Sequence, residues 1–525
     1  MAGAVADARS PGRWLDEGSE QTGVLTRRDW TACALLAAGA LVIRAIGLDS
    51  GLWLDEINGI LAWMRPPLSE ILTVYKGDGQ HPLYALLGHA SILLFGEHAW
   101  SVRLPAALFG AATVPMLYVL GRRVASRREA LFAAMLLAVS YHHVWFSQNA
   151  RGYTILTFFV LVGTYFLVRG LNEGRKIWFI GYGIAMALGA YTHITVVFPA
   201  IAQFLVVVWV VWRQRMDWRA PLIGFATAAA ITLLLYAPIL KQVIEWFLFR
   251  SSNFEGISTP SWAIGEAVRI LRRGVIGGAS AAIGVVAIAA GGLVFMMGMI
   301  SYARRSGIVF ALMTLPFLTT FAGALLARAT MYPRFFFFLL PFAILMIVRG
   351  LDQAGSWVMR RRGGRGSAPA NAHATRDERL SGAAPAHGLI LGSALNLAAI
   401  AAFALSLSAN YRYPKQDFGG AVRYVERNRQ PNEMVMVAGA ATGPVQLYYE
   451  RAWPEVRSPA AIDSLVGSGT AGYWLMYTFP RYIAIGAPDL MRRIDETCGE
   501  REVFPGTVGG GDIIVCRVTR EPQRS

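Results

Sequence analysis

The sequence is poor in charge, poor in cysteine, and poor in acids relative to bases. Only 16% of its 525 residues are Asp, Glu, Lys or Arg, against roughly 25% in a typical soluble domain. The deficit falls on the residues that would cover a water-facing surface. Apolar residues make up 55%, a count that omits 54 glycines, and mean hydropathy is +0.42. Disordered, collagen-like and disulfide-knot classes are thereby excluded. The three cysteines, Cys33, Cys498 and Cys516, have no metal-ligand spacing. Lys and Arg number 49 against 33 acids, for a net charge of +16. No basic-aromatic groove pattern or nucleic-acid motif accompanies that excess, so it points to cytoplasmic loops of a membrane protein and to no nucleic-acid partner.

What the chain does have is a series of apolar runs of the length needed to cross a hydrocarbon core of about 30 Å. They predict spans near 30–48, 104–121, 130–147, 153–169, 177–192, 194–212, 221–240, 279–302, 307–327, 335–350 and 387–408. The fold class is an α-helical polytopic membrane protein of about 11–13 transmembrane helices with a small C-terminal α/β domain. Alternate loops carry the arginines, among them Arg122, Arg123, Arg127 and Arg128, then Arg213, Arg215 and Arg219, then Arg360, Arg361 and Arg362. That places residues 1–29 inside as an uncleaved cytoplasmic tail and the long loop 49–103 outside. Pro82–Gly96, too short for a span, reads as an interfacial or re-entrant helix. Residues 351–386, rich in Gly, Arg, Ser, Ala and Pro, read as a disordered cytoplasmic linker. A last span at 387–409 leads into 410–525, a periplasmic domain with helices at 418–429 and 445–450 and strands at 433–438, 472–478 and 512–518. In it Cys498 and Cys516 form either a disulfide or two buried thiols.

Four polar clusters fall on the predicted outer side, where polar groups beside a bilayer are functional candidates. Asp55 and Glu56 in GLWLDEING lie between apolar flanks; partial desolvation there suits a carboxylate to take a proton from an acceptor hydroxyl, although an acidic pair can also be a solvated interface. GDGQHPLY holds Asp78 and His81; the histidine could meet a phosphate or a metal, or simply cap a turn. SQNARGY supplies Gln148, Arg151 and Tyr153, with Arg151 either a snorkelling anchor or a fork for phosphate oxygens. In ATMYPRFFFFLLP, Tyr332 and Arg334 precede four phenylalanines, which suits a lipid with its phosphate at the interface, as an aromatic belt also would. His193 in AYTHIT is a weaker candidate, as are His142 and His143.

The ordered series LWLDE, HPLY, RLPAALFG, GRR, SQNARGY, YTH and YPRFFFFLLP resembles the polytopic glycosyltransferases of the dolichyl-phosphate-mannose protein mannosyltransferase class. That class includes the aminoarabinose transferase of lipid A and the galacturonosyl transferases of rhizobial lipopolysaccharide core. The resemblance implies the GT-C fold, a polyprenyl-phosphate sugar as donor, a lipid, glycan or protein acceptor, inversion at the anomeric carbon, and an active site on the periplasmic face of a bacterial inner membrane. It maps the essential first-loop acid onto Asp55, with Glu56 beside it. The same resemblance assigns donor phosphate and lipid to His81, Arg151, Tyr153, Tyr332 and Arg334, and leaves Asp78, Gln148 and His193 to the acceptor or a supporting shell. Relatives often read HPPLY and SQEARxY; this chain lacks one proline and has Asn149 in place of the glutamate. A divalent metal is associated with some relatives, but no second acid-and-histidine pair stands out here.

Three rivals predict other features. A lipid-linked-sugar flippase would carry ionisable residues near span midpoints and inverted repeats; the spans are mostly clean, and Arg44 reads as snorkelling. An O-antigen polymerase or ligase usually lacks the Asp-Glu pair of the first loop. A sensory or assembly protein would use residues 410–525 for interaction alone.

Overall fold

The computed structural model describes residues 25–77, 79–249, 281–326, 332–362, 386–466 and 472–519, with two single positions at 265 and 268. Asp78, the tail 1–24 and the linker beyond 362 lie outside the described residues. Every predicted span meets a helix, from Arg27–Ala45 and Ala99–Val124 to Leu340–Arg362 and Ala386–Arg412. Among the described residues eight helices are long and apolar enough to cross a membrane, or up to nine with one bent pair. Arg27–Ala45 and Lys176–Thr192, at two further predicted spans, fall outside that test of length and hydropathy.

Several boundaries move. The helix Ala99–Val124 begins before the predicted 104, so Arg103 is in its first turns and the first loop is shorter. Leu340–Arg362 runs on past residue 350, so the first part of the expected linker, 351–362, is helical. The span expected at 130–147 is two helices, Arg127–Ala138 and Tyr141–Ser147, bent by 58°. Arg44 helps to hold that break. Far from snorkelling, it is fully buried and donates to the Ala138 carbonyl at the end of the first helix and to Ser147 Oγ at the end of the second, and lies 2.6 Å from His143 Nδ1. A cation at this depth persists only where such acceptors surround it. The short apolar helix Pro82–Phe95 forms as expected.

At the opposite end of the bundle the arginines gather on acids. Arg122 and Arg127 approach Asp29, Arg128 meets Asp352, and Arg349 meets Glu129. These pairs tie together helices that are far apart in sequence.

The C-terminal domain carries a five-stranded sheet: β1 Glu433–Ala438, β2 Glu455–Val456, β3 Gly472–Thr478, β4 Arg501–Phe504 and β5 Ile513–Thr519, in the order β2-β1-β3-β5-β4. β1 is parallel to β2 and β3; β5 is antiparallel to β3 and β4. Because strand side chains alternate, the sheet buries two faces. Val435, Val437, Trp474, Met476, Ile513 and Val515 pack on the first loop, joining Leu52, Ile57 and Ile60 in one apolar cluster with the helix Phe418–Asn428. Met436, Tyr473, Leu475 and Tyr477 face the helices Pro459–Leu465 and Pro488–Thr497 through Ile462, Leu490 and Ile494. Cys498 and Cys516 are joined as a disulfide, which settles the choice left open by the sequence. Residues 445–450, expected as a helix, form only the π-helical turn Pro444–Tyr448.

Candidate active site

The first loop turns the acidic pair in two directions. Leu54–Gly59 is a short helix, so Asp55 and Glu56 diverge by about 100° around its axis. Glu56 is fully buried: Arg103 Nε and Nη2 reach its two oxygens at 2.7 and 2.6 Å, and the Ala150 N–H donates to it at 2.7 Å. Arg103 also donates to the carbonyls of Leu48, Ser50 and Gly51. Burial alone would raise the Glu56 pKa, but Arg103, Lys415 and the Ala150 N–H outweigh it and hold the carboxyl below its usual range. Glu56, expected from sequence to share the chemistry with Asp55, is thus placed away from Asp55. It does not line the large cavity, and its bonding capacity is spent on locking the first loop to the helix Ala99–Val124.

Asp55 opens onto a cavity of about 480 Å³. Its Oδ2 accepts from Arg334 Nη1 at 3.0 Å, with the two side chains 23% and 28% exposed. The Arg334 guanidinium lies over the Tyr332 ring at 4.3 Å, where the 3₁₀ turn Pro333–Leu339 begins. Tyr153, Tyr332, Phe337 and Leu340 line the same space. Phe146, presented by the broken helix, packs 4.4 Å from Phe337. Asn149 also lines the cavity and accepts from Trp53 Nε1 at 3.1 Å, so the residue that replaces the glutamate of relatives steadies a tryptophan of the cavity wall. The cavity is therefore apolar along most of its wall, with one carboxylate–guanidinium pair set into it.

Other predicted residues stand behind this wall. His81 packs against Tyr153 at 5.1 Å and His193 at 4.7 Å, and neither ring nitrogen has a hydrogen-bond partner among the described residues. Burial first, then Arg151, His193 and Arg334, push its pKa well below the usual value. Arg151 is only 7% exposed, lies over Trp63 and shares with His81 a gap of about 10 Å³, apart from the large cavity. The next residue, Gly152, admits no side chain: a Cβ would sit 2.6 Å from Thr192 Cγ2 and 2.8 Å from His81 Nδ1. His193 caps the turn Ile194–Val196 by accepting from the Thr195 N–H. Gln148 donates to the carbonyls of Arg44 and Ile46 and accepts from Asn410, a tie between helices away from the cavity.

Sequence reasoning missed the far wall. The C-terminal domain contributes Ala440, Phe479, Tyr482, Thr507, Val508 and Gly509, and the broken helix adds Tyr141 and Trp145 beside His142. Phe479 holds φ of +51°, a left-handed conformation that costs a non-glycine residue energy and is held here at the cavity edge. Among the described residues no three His, Cys, Asp or Glu side chains converge to hold a metal, and Asp55 is the one carboxylate on the cavity wall. No step of the chemistry is routed through a divalent ion.

Residues 80–241 match the dolichyl-phosphate-mannose-protein mannosyltransferase family profile. A putative mannosyltransferase of Bacillus subtilis, YkcB, is 29% identical over 115 residues, 22% of this chain and 16% of that one, so the matched stretch spans about a sixth of the relative's length. ArnT from Cupriavidus metallidurans, solved bound to undecaprenyl phosphate, superposes with a TM-score of 0.51 at 14% identity, over 95% of this chain and 100% of that chain. The archaeal oligosaccharyltransferase AglB from Archaeoglobus fulgidus, solved with an inhibitory peptide and a dolichol-phosphate, superposes with a TM-score of 0.50 at 12% identity, over 95% and 75%. The profile match is confined to 80–241, while the fold of these two polytopic membrane proteins is shared along nearly the whole chain.

Proposed function

We propose that the chain transfers a sugar from a polyprenyl-phosphate donor to a hydroxyl-bearing lipid, glycan or protein at the periplasmic face of a bacterial inner membrane. The observation that carries the reading is the Asp55–Arg334 pair set in a largely aromatic and aliphatic cavity. Arg334 Nε has no acceptor among the described residues, which leaves a donor for a phosphate oxygen, and Phe337 and Leu340 offer an apolar path for a prenyl chain. ArnT, of the same fold, was solved with undecaprenyl phosphate, which supports the same class of donor here. The gathering of arginines at the other end of the bundle supports the sidedness.

In this mechanism Asp55 accepts the proton of the acceptor hydroxyl. The oxygen attacks the anomeric carbon on the face opposite the phosphate. As the new C–O bond forms, the bond to phosphate breaks, and Arg334 stabilises the negative charge that grows on the departing polyprenyl phosphate. The anomeric configuration inverts. Tyr153 and Tyr332 frame the site, and His81, His193 and Arg151 support it from behind.

The test is purified wild type and Asp55→Asn with sugar-labelled polyprenyl phosphates and a host lipid extract. Transfer by the wild type, reduced by about 10²–10⁴ in Asp55→Asn, is the expected outcome for loss of a general base. Equal transfer by both proteins would remove Asp55 from the role. No transfer by either, with translocation of the lipid-linked sugar in vesicles, would replace the enzyme reading by a flippase.

A further inference from the structure

Between the helices Ala386–Arg412 and Phe418–Asn428 the chain passes through Pro414, Lys415 and Gln416. These three residues touch three parts of the cavity wall: the first loop at Leu54, the broken helix at Trp145, and the far wall at Thr507 and Val508. The Pro414 and Lys415 carbonyls accept from the N–H groups of Thr507 and Val508, two residues of the far wall. Lys415 Nζ donates to the Gln148 carbonyl and lies over the Trp145 ring, and Trp145 Nε1 in turn donates to Thr507 Oγ1. Gly506 lets this approach happen, because a Cβ there would collide with the Lys415 carbonyl.

Gln416 is fully buried and uses both ends of its amide. Its Oε1 accepts from the Leu54 N–H at 2.9 Å; its Nε2 donates to the Gly511 carbonyl at 2.7 Å and to Thr478 Oγ1 at 3.1 Å. Leu54 opens the short helix that carries Asp55, and its N–H is one of the donors a helix start leaves without an internal partner. Trp53, at the cap position, provides no side-chain acceptor. A residue 362 positions away supplies it. We infer that Gln416 is a positioning residue that holds the Asp55 peptide and the C-terminal wall of the cavity in register, making the sheet domain half of the active site.

The role in transfer rests on Asp55 being the base; the register itself does not. Hydrogen exchange of the full-length protein in detergent separates the two contacts. Gln416→Met removes both, and exchange in 51–57 and in 505–512 is expected to accelerate about tenfold, the scale of one lost buried hydrogen bond. Gln416→Glu, ionised at pH 8.5, keeps the acceptor for Leu54 but repels the Gly511 carbonyl, so only 505–512 is expected to accelerate. In transfer assays Gln416→Met is expected to lower kcat with polyprenyl-phosphate binding unchanged, while Gln416→Glu at pH 8.5, which keeps the contact to Leu54, is expected to lower kcat less. Unchanged exchange in Gln416→Met, or equal acceleration of both segments in both variants, would overturn the inference. A wild type that exchanges as expected yet transfers no sugar would instead count against the proposed function.

Discussion

Asp55 and Glu56 are neighbours in sequence with opposite fates. Glu56 and Arg103 form a fully buried pair at 2.6 Å, so removing one partner strands the other away from water. Glu56→Gln is expected to cost about 3–5 kcal/mol of stability, the scale for breaking a buried ion pair, read as a large fall in thermal midpoint in detergent. Asp55→Asn, whose partner Arg334 is partly exposed, should leave the midpoint close to wild type. A Glu56→Gln protein that melts like wild type would show that the pair is not the lock described. The sequence made the acidic pair visible but not the division of labour, because that depends on an arginine 47 residues on. His81 is similar: HPLY marked the residue, while the downward shift of its pKa follows from burial first and then from Arg151, His193 and Arg334, which only folding brings near.

At the scale of elements, the cavity exists because two apolar runs are not straight spans. The 58° break between Arg127–Ala138 and Tyr141–Ser147 carries Tyr141, Trp145 and Phe146 to the cavity wall, and the turn Pro333–Leu339 aims Arg334 at Asp55. Hydropathy registered both as continuous apolar segments, since a break supported by a distant side chain such as Arg44 leaves no local trace. The close approach at Gly152 is what seats Tyr153 beside His81 as the next long helix begins. Gly152→Ala is expected to destabilise the protein by about 1–3 kcal/mol, the usual cost of overpacking, and to lower transfer by moving Tyr153. Calorimetry or a thermal melt checks this, and a stable, fully active Gly152→Ala would mean that the contact with Thr192 and His81 relaxes freely.

For the whole molecule, the helical bundle and the sheet domain line one cavity together. Periodicity identified the spans and the strands β1, β3 and β5. It did not reveal that Phe479, Tyr482 and Val508 close the same cavity, because no local pattern links residue 508 to residue 55; the link is made by Gln416 and by one apolar cluster shared between loop and sheet. The central claim is that this shared cavity holds a polyprenyl phosphate on Arg334 while Asp55 stands ready for the acceptor. The most direct measurement is equilibrium binding of undecaprenyl phosphate to the wild type, Arg334→Gln and Asp55→Asn. Loss of a charge-assisted contact to phosphate, about 1.5–3 kcal/mol, predicts binding weaker by roughly 10–150-fold in Arg334→Gln. Asp55→Asn should bind at least as tightly as wild type, since it removes a negative charge and frees the guanidinium. Undiminished binding by Arg334→Gln would contradict the account.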